Sequence, residues 1–210
     1  MHEDGRKAAE SYQKKHPYGY EYNVKSPVIT GYTADKSVVE GTLTEDTIVT
    51  VTYRKRTDLS YTVNYYWNGT TDTVATSKTV DGQTFGTEVT EAPIPVDGYT
   101  PVSNDSKKIT ITEGTNVINF YYYKNVTLTA NSDTKTYNGK EQEVSGYECS
   151  VDGLTFEGIT VGAKGTDVGE YPAKFAKGTV GKVDKTEKYI VTAANPGKLT
   201  IAPRPVKLTS

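Results

Sequence analysis

Short runs in which apolar and polar side chains alternate dominate the chain, the period of a β-strand with one face buried. Tyr61, Val63, Tyr65 and Trp67 share one face of such a run, and Asn68-Gly69 supplies the turn that ends it. Val74 to Val80 predicts a second, weaker strand, Ile109 with Ile111 marks another, and Ile118, Phe120 and Tyr122 form a further inward set. Between them, Pro93, Pro95, Gly98 and Pro101 keep the backbone irregular. Upstream, Tyr18, Tyr20 and Tyr22 alternate, as do Val49, Val51 and Tyr53. Gly5 to Tyr12 reads as a helical turn that Pro17 and Gly19 keep from extending. After Asn125, Val126 and Leu128 alternate, Tyr137-Asn138-Gly139-Lys140 is a tight turn, Leu154 and Phe156 alternate, and Tyr189 to Thr192 and Leu199 to Ile201 are late strands. The predicted fold class is mainly β.

The pattern also repeats. Val96-Asp97-Gly98-Tyr99-Thr100 through Ile109-Thr110-Ile111-Thr112 to Ile118-Asn119-Phe120-Tyr121-Tyr122-Tyr123-Lys124 echoes Thr30-Gly31-Tyr32-Thr33 through Ile48-Val49-Thr50-Val51-Thr52-Tyr53-Arg54-Lys55. Tyr18-Gly19 precedes Phe85-Gly86 by 67 positions, and Gly31-Tyr32 precedes Gly98-Tyr99 by the same 67. The closing strands need 69, so one two-residue slip in a surface turn reconciles the copies. A second pair, Asn125-Val126-Thr127-Leu128-Thr129 and Pro205-Val206-Lys207-Leu208-Thr209, lies 80 positions apart. The expected division is therefore a partial repeat at 1–57, a complete repeat at 58–124, a longer module at 125–203 and the start of a further repeat at 204–210. The partial repeat has no counterpart of Tyr61 to Trp67, so its strands should expose an edge and open first. Two repeat periods along one chain predict an elongated array of tandem modules.

Parity selects the candidate binding residues. If Ile118, Phe120 and Tyr122 face inward, then Tyr121 and Tyr123 face outward, as Tyr66 does on its own strand. Exposed ring faces can stack on sugar C–H surfaces or on protein. Packing against a neighbouring module, or cover by the stretch from Pro93 to Pro101, accounts for the three tyrosines more simply, because scattered surface aromatics are common. Further along, Thr166-Asp167-Val168-Gly169-Glu170-Tyr171 leads into Ala173 and Phe175 on the Tyr171 parity. The Asp-x-Gly-x-Tyr run resembles the tyrosine corner of immunoglobulin-like sandwiches, where the phenol bonds back to nearby backbone; Asp167, Gly169 and Tyr171 are read as structural on that basis. Ala173 stands where antibody domains carry cysteine.

Composition thins the expected cores. With Gly counted in place of Tyr, the apolar share of the 210 residues is roughly 36% against a norm of about 45–50%. The 24 basic and 26 acidic side chains are interspersed and sum to −2, with no basic stripe for nucleic acid or anionic lipid. No apolar run approaches the ~20 residues of a membrane helix. The single cysteine, Cys149, excludes an internal disulfide framework, and with only His2 and His16 in the chain it is read as an incidental or buried thiol. No nucleophile elbow, phosphate loop, His-Glu-x-x-His or paired cysteines are present, so no catalytic residue, metal ligand or cofactor is assigned. Glu45 with Asp46 and Glu141 with Glu143 read as solvent-facing carboxylates.

Tyr61 to Lys124, with its Tyr-Thr-Val-Asn-Tyr opening, Gly98-Tyr99-Thr100 centre and Phe-Tyr-Tyr-Tyr-Lys close, resembles the MucBP (mucin-binding protein) repeat of Gram-positive surface proteins. His2 to Lys55 resembles the same repeat without its first strand, and Asn125 to Pro203 is similar to the MBG-type, mostly β and glycine-rich repeats of comparable cell-wall proteins. The resemblance implies β-grasp-like and immunoglobulin-like modules in a longer, exported, wall-attached polypeptide, although the first ten residues carry no apolar signal core and no Leu-Pro-x-Thr-Gly anchor is present. It implies a non-enzymatic adhesin that binds mucin or other host glycans. The alternative is a stalk that projects a distal domain from the wall and binds nothing itself.

Overall fold

The computed structural model describes residues 1–207; Leu208 and Thr209, which complete the echo at 80 positions, lie outside the described residues. The described chain is all-β, with several sheets and no helix. Its strands begin with β1 (Glu21–Lys25), β2 (Tyr32–Ala34), β3 (Val38–Thr42) and β4 (Tyr53–Lys55). They continue with β5 (Leu59–Trp67), β6 (Thr73–Gln83), β7 (Glu88–Glu91), β8 (Tyr99–Pro101), β9 (Lys107–Thr110) and β10 (Val117–Ala130). The later strands are β11 (Asp133–Thr136), β12 (Gln142–Ser145), β13 (Tyr147–Cys149), β14 (Val161–Gly165), β15 (Gly169–Phe175), β16 (Tyr189–Asn195) and β17 (Gly197–Ala202). The chain divides into two compact units, one of Met1–Asn64, Ser77–Ala92 and Asp105–Asn119, the other of Tyr65–Thr76, Pro93–Asn104 and the chain from Phe120 onward.

In the first unit, three antiparallel pairs join β1 to β3, β2 to β4 and β7 to β9. Leu59, Tyr61, Val63, Ile111 and Ile118 are buried, and among them Tyr61, Val63 and Ile118 are positions that the sequence places inward. Asn116 is buried among them and fully used, since its amide donates to the carbonyls of Ser60 (3.0 Å) and Thr112 (2.9 Å) while its oxygen accepts from the Thr112 N–H (2.9 Å). Up to residue 57 only Gly31 and Tyr53 are buried. That scarcity explains three departures from the sequence reading. Gly5 to Tyr12 is not a helix, because so short a segment forms one only when a buried face supports it, and Ala8 and Ala9 remain half-exposed. The strand expected from Val49 begins only at Tyr53, where β2 offers a partner, and leaves Ile48 95% exposed. Likewise β1 starts at Glu21, so Tyr18 and Tyr20 precede it and stay exposed.

The second unit is built on β10, which runs unbroken through Lys124 and Asn125 and buries Phe120, Tyr122, Val126, Leu128 and Ala130. It pairs with β8 and β13 antiparallel and with β16 parallel. A five-stranded sheet follows the order β11-β17-β15-β14-β12. One apolar cluster joins Ala130, Val144, Ala173, Leu199 and Ile201, and another joins Val126, Leu128, Phe156 and Val191; Phe175 packs against both. Leu154 and Phe156 form no strand. The Tyr147 hydroxyl accepts from the Phe156 N–H (3.0 Å), so a side chain takes the place of a neighbouring strand.

Hydrogen bonds recur at the offsets read from the sequence. Tyr32 faces Lys55 and Ala34 faces Tyr53 in one pair, as Tyr99 faces Lys124 and Pro101 faces Tyr122 in the other. The Arg56 N–H donates to the Gly31 carbonyl (2.9 Å) as the Asn125 N–H does to that of Gly98 (2.9 Å). The Tyr53 hydroxyl donates to the Pro27 carbonyl (2.7 Å), and the Tyr122 hydroxyl to the Ile94 carbonyl (2.9 Å). Pro27 and Ile94 differ by 67 positions and the two tyrosines by 69, the two offsets of the apolar pattern.

Candidate functional site

Alternation along β5 and β10 turns Tyr65 and Tyr122 into the core, where their rings meet edge to face at 6.4 Å, and turns their neighbours the other way. Tyr66 and Tyr121 come together on that outward face, ring centroids 6.1 Å apart and tilted by 33°. Tyr121 is 38% exposed and Tyr66 is half-buried. Tyr123, of the same parity on β10, sits opposite Thr100 of β8 and is half-buried. Beside the pair, the Val102 N–H donates to the Tyr121 carbonyl (2.9 Å), and the Val102 side chain is exposed. The result is a shallow apolar ledge of two rings and one aliphatic group, suited to stacking.

The strand end carries a feature that no sequence signal marks. The Trp67 indole N–H donates to the Lys188 carbonyl (2.8 Å), and the Asn68 amide to the Glu187 carbonyl (2.7 Å), across more than a hundred residues of sequence. Lys124 and Lys188 each bring an ammonium within 6 Å of the Trp67 ring, at 5.9 and 5.8 Å. The 184–189 turn that receives these bonds is organised by Asp184, whose carboxylate accepts from the N–H groups of Thr186 (2.9 Å), Lys188 (2.8 Å) and Tyr189 (2.8 Å) and from the Thr186 hydroxyl. Burial pushes this carboxyl up, but the donors outweigh it and hold its pKa below the ordinary value.

The residues read as a corner lie in and before β15. The Tyr171 hydroxyl donates to the Asp167 carbonyl (3.0 Å), four positions upstream, and the ring is half-buried on the same side as buried Ala173. Gly169 opens the strand. The glycine that the ring covers is Gly165, where a side-chain carbon would lie 2.3 Å from Tyr171. The sequence reading missed Gly165, because its contact depends on the β14–β15 region folding back.

In the first unit, a cleft of about 660 Å³ is lined by Pro27, Val28, Ile29, Tyr32, Tyr53 and Arg56, among others. Its guanidinium is committed: the Arg56 Nε and Nη2 bond both oxygens of Asp58 (2.9 and 2.8 Å), and Nη1 reaches Glu113 (3.2 Å). Asp58 first, then Glu113, holds Arg56 well above its usual pKa. No cluster of three or more His, Cys, Asp or Glu side chains suited to a metal ion occurs among the described residues. No protein-family model matches the chain, and comparison with curated proteins gives no match.

Proposed function

We propose that this chain is a non-enzymatic segment of a Gram-positive cell-surface adhesin, built from MucBP-like and MBG-type modules in tandem, and that it binds mucin or other host glycans. The finer fold belongs to the same proposal: β-grasp-like repeats before Asn125 and an immunoglobulin-like sandwich after it, in a protein carried outside the cell on the wall. The recurrence of the Tyr53 to Pro27 and Tyr122 to Ile94 bonds at the sequence offsets supports repetition, and the Tyr171 to Asp167 bond supports a tyrosine corner.

The observation that carries the binding reading is the outward ring pair of Tyr66 and Tyr121, half-exposed on a sheet face whose opposite side is core. Ring faces of this kind stack on the C–H face of a sugar. Capture on immobilised mucin, compared for the wild-type chain, Tyr66→Ala and Tyr121→Ala, tests it. A ring contact of about 0.5–1.5 kcal/mol predicts that each variant weakens capture by about twofold up to roughly tenfold. Absent capture moves the reading to a stalk that spaces a distal domain from the wall, and capture unchanged in both variants removes Tyr66 and Tyr121 as the binding surface. The repeated backbone pattern is the observation in favour of that second reading.

A further inference from the structure

We infer that copies of this chain associate head to tail, the Tyr18 ring of one seating on Gly98-Tyr99 of the next. The contact already occurs once inside the first unit. Phe85 lies over Gly31 so closely that a side-chain carbon there would stand 2.2 Å from the ring, and Gly31 is buried as a result. The same ring meets Tyr32 edge-on at 6.0 Å, and the Phe85 N–H donates to the Arg56 carbonyl (2.9 Å). Plug and socket each recur 67 positions away, in opposite directions. Tyr18 is the plug of the earlier copy and is 83% exposed. Gly98-Tyr99 is the socket of the later copy: Gly98 is exposed, and no atom approaches within 4 Å of the point a side-chain carbon would occupy.

The socket keeps its shape without the plug. Gly98 has the left-handed φ of 74° where Gly31 has 79°, and their carbonyls accept the N–H groups of Asn125 and Arg56 respectively. A side chain at either position would be strained and would fill the space the ring needs. Charge favours the pairing as well, since exposed Lys14 and Lys15 precede the plug and exposed Asp97 precedes the socket. Plug and socket are different segments of the chain, so the contact is heterologous and can propagate from one copy to the next.

One ring with a few flanking groups is a small interface, so association belongs in the range of roughly 0.1–1 mM. Sedimentation at increasing protein concentration, up to about 1 mM, reads it. The wild-type average mass should climb above the monomer as concentration rises. Tyr18→Phe, which copies Phe85, should associate at least as strongly, whereas Tyr18→Ala and Gly98→Asn should each remain monomeric. Asn tolerates the left-handed backbone, and the circular dichroism of that variant checks its fold. If it misfolds, Asp97→Lys, at an exposed position, should weaken association several-fold instead. The decisive sample is an equimolar mixture of the Tyr18→Ala and Gly98→Asn chains, which retains one intact plug and one intact socket and should therefore stop at the heterodimer. A monomeric wild type at the highest concentration, association that survives in Tyr18→Ala, or a mixture that stays monomeric overturns the inference. It rests on the repeat and not on mucin capture, so either can fail while the other stands.

Discussion

At the scale of single residues, tyrosine hydroxyls perform much of the fastening that a richer apolar core would otherwise do. Tyr122 is fully buried, and its hydroxyl both donates to the Ile94 carbonyl (2.9 Å) and accepts from the Ile94 N–H (3.0 Å). It thus pins an irregular, proline-bounded stretch to β10. Burial raises its pKa, so the hydroxyl keeps its proton at neutral pH. Tyr171 makes one such bond from a half-buried ring. Removing a hydroxyl with two backbone partners should cost about 1–3 kcal/mol, and removing one with a single, partly hydrated partner about 1 kcal/mol or less. Tyr122→Phe is therefore expected to lower the denaturant midpoint of the second unit more than Tyr171→Phe does. Equal midpoints in the two variants would show that water replaces the bonds to Ile94.

At the scale of elements, the 184–189 turn shows how one carboxylate replaces a strand partner. Its three backbone N–H groups converge on Asp184, and the turn in turn presents carbonyls to Trp67 and Asn68. The folded-state pKa of Asp184 lies below the unfolded one, so the carboxylate contributes its full stability above the ordinary pKa and loses it as pH falls through the folded value. The second unit should therefore lose stability as pH drops below about 4. Asp184→Asn is expected to be less stable than wild type at neutral pH and to show a shallower loss on acidification. Urea unfolding at about pH 7 and pH 3 measures both, and parallel pH profiles for the two proteins would rule Asp184 out as the group responsible.

At the scale of the whole molecule, stability follows burial. Up to residue 57 only Gly31 and Tyr53 are buried, and Val28 and Ile48 are almost wholly exposed, whereas the second unit holds two apolar clusters. A buried aliphatic or aromatic side chain contributes about 1.5–3 kcal/mol, so a segment with so few has little to oppose opening. Limited proteolysis is expected to cut first before Thr57, and amide exchange to be fastest there. Protection of residues 18–53 equal to that of β10 would contradict this.

The sequence by itself determined the parity of the strands and the spacing of the repeat. Tyr61, Val63 and Tyr65 are buried and Tyr121 is exposed because a strand with one covered face admits no other arrangement of that alternation. Gly31-Tyr32 and Gly98-Tyr99 occupy the same backbone positions because the offset of 67 carries the turn with it. The tertiary structure alone decided which alternating runs become strands. Val49 and Val51 alternate as well as Val126 and Leu128 do, but a strand forms only where a neighbour satisfies its backbone and a core takes its side chains, and β4 finds such a neighbour only from Tyr53. The same holds for the ledge and the socket. Tyr66 meets Tyr121, Trp67 meets Lys188 and Phe85 covers Gly31 because sheet registry brings distant segments together, and alternation within a segment carries no information about registry between segments.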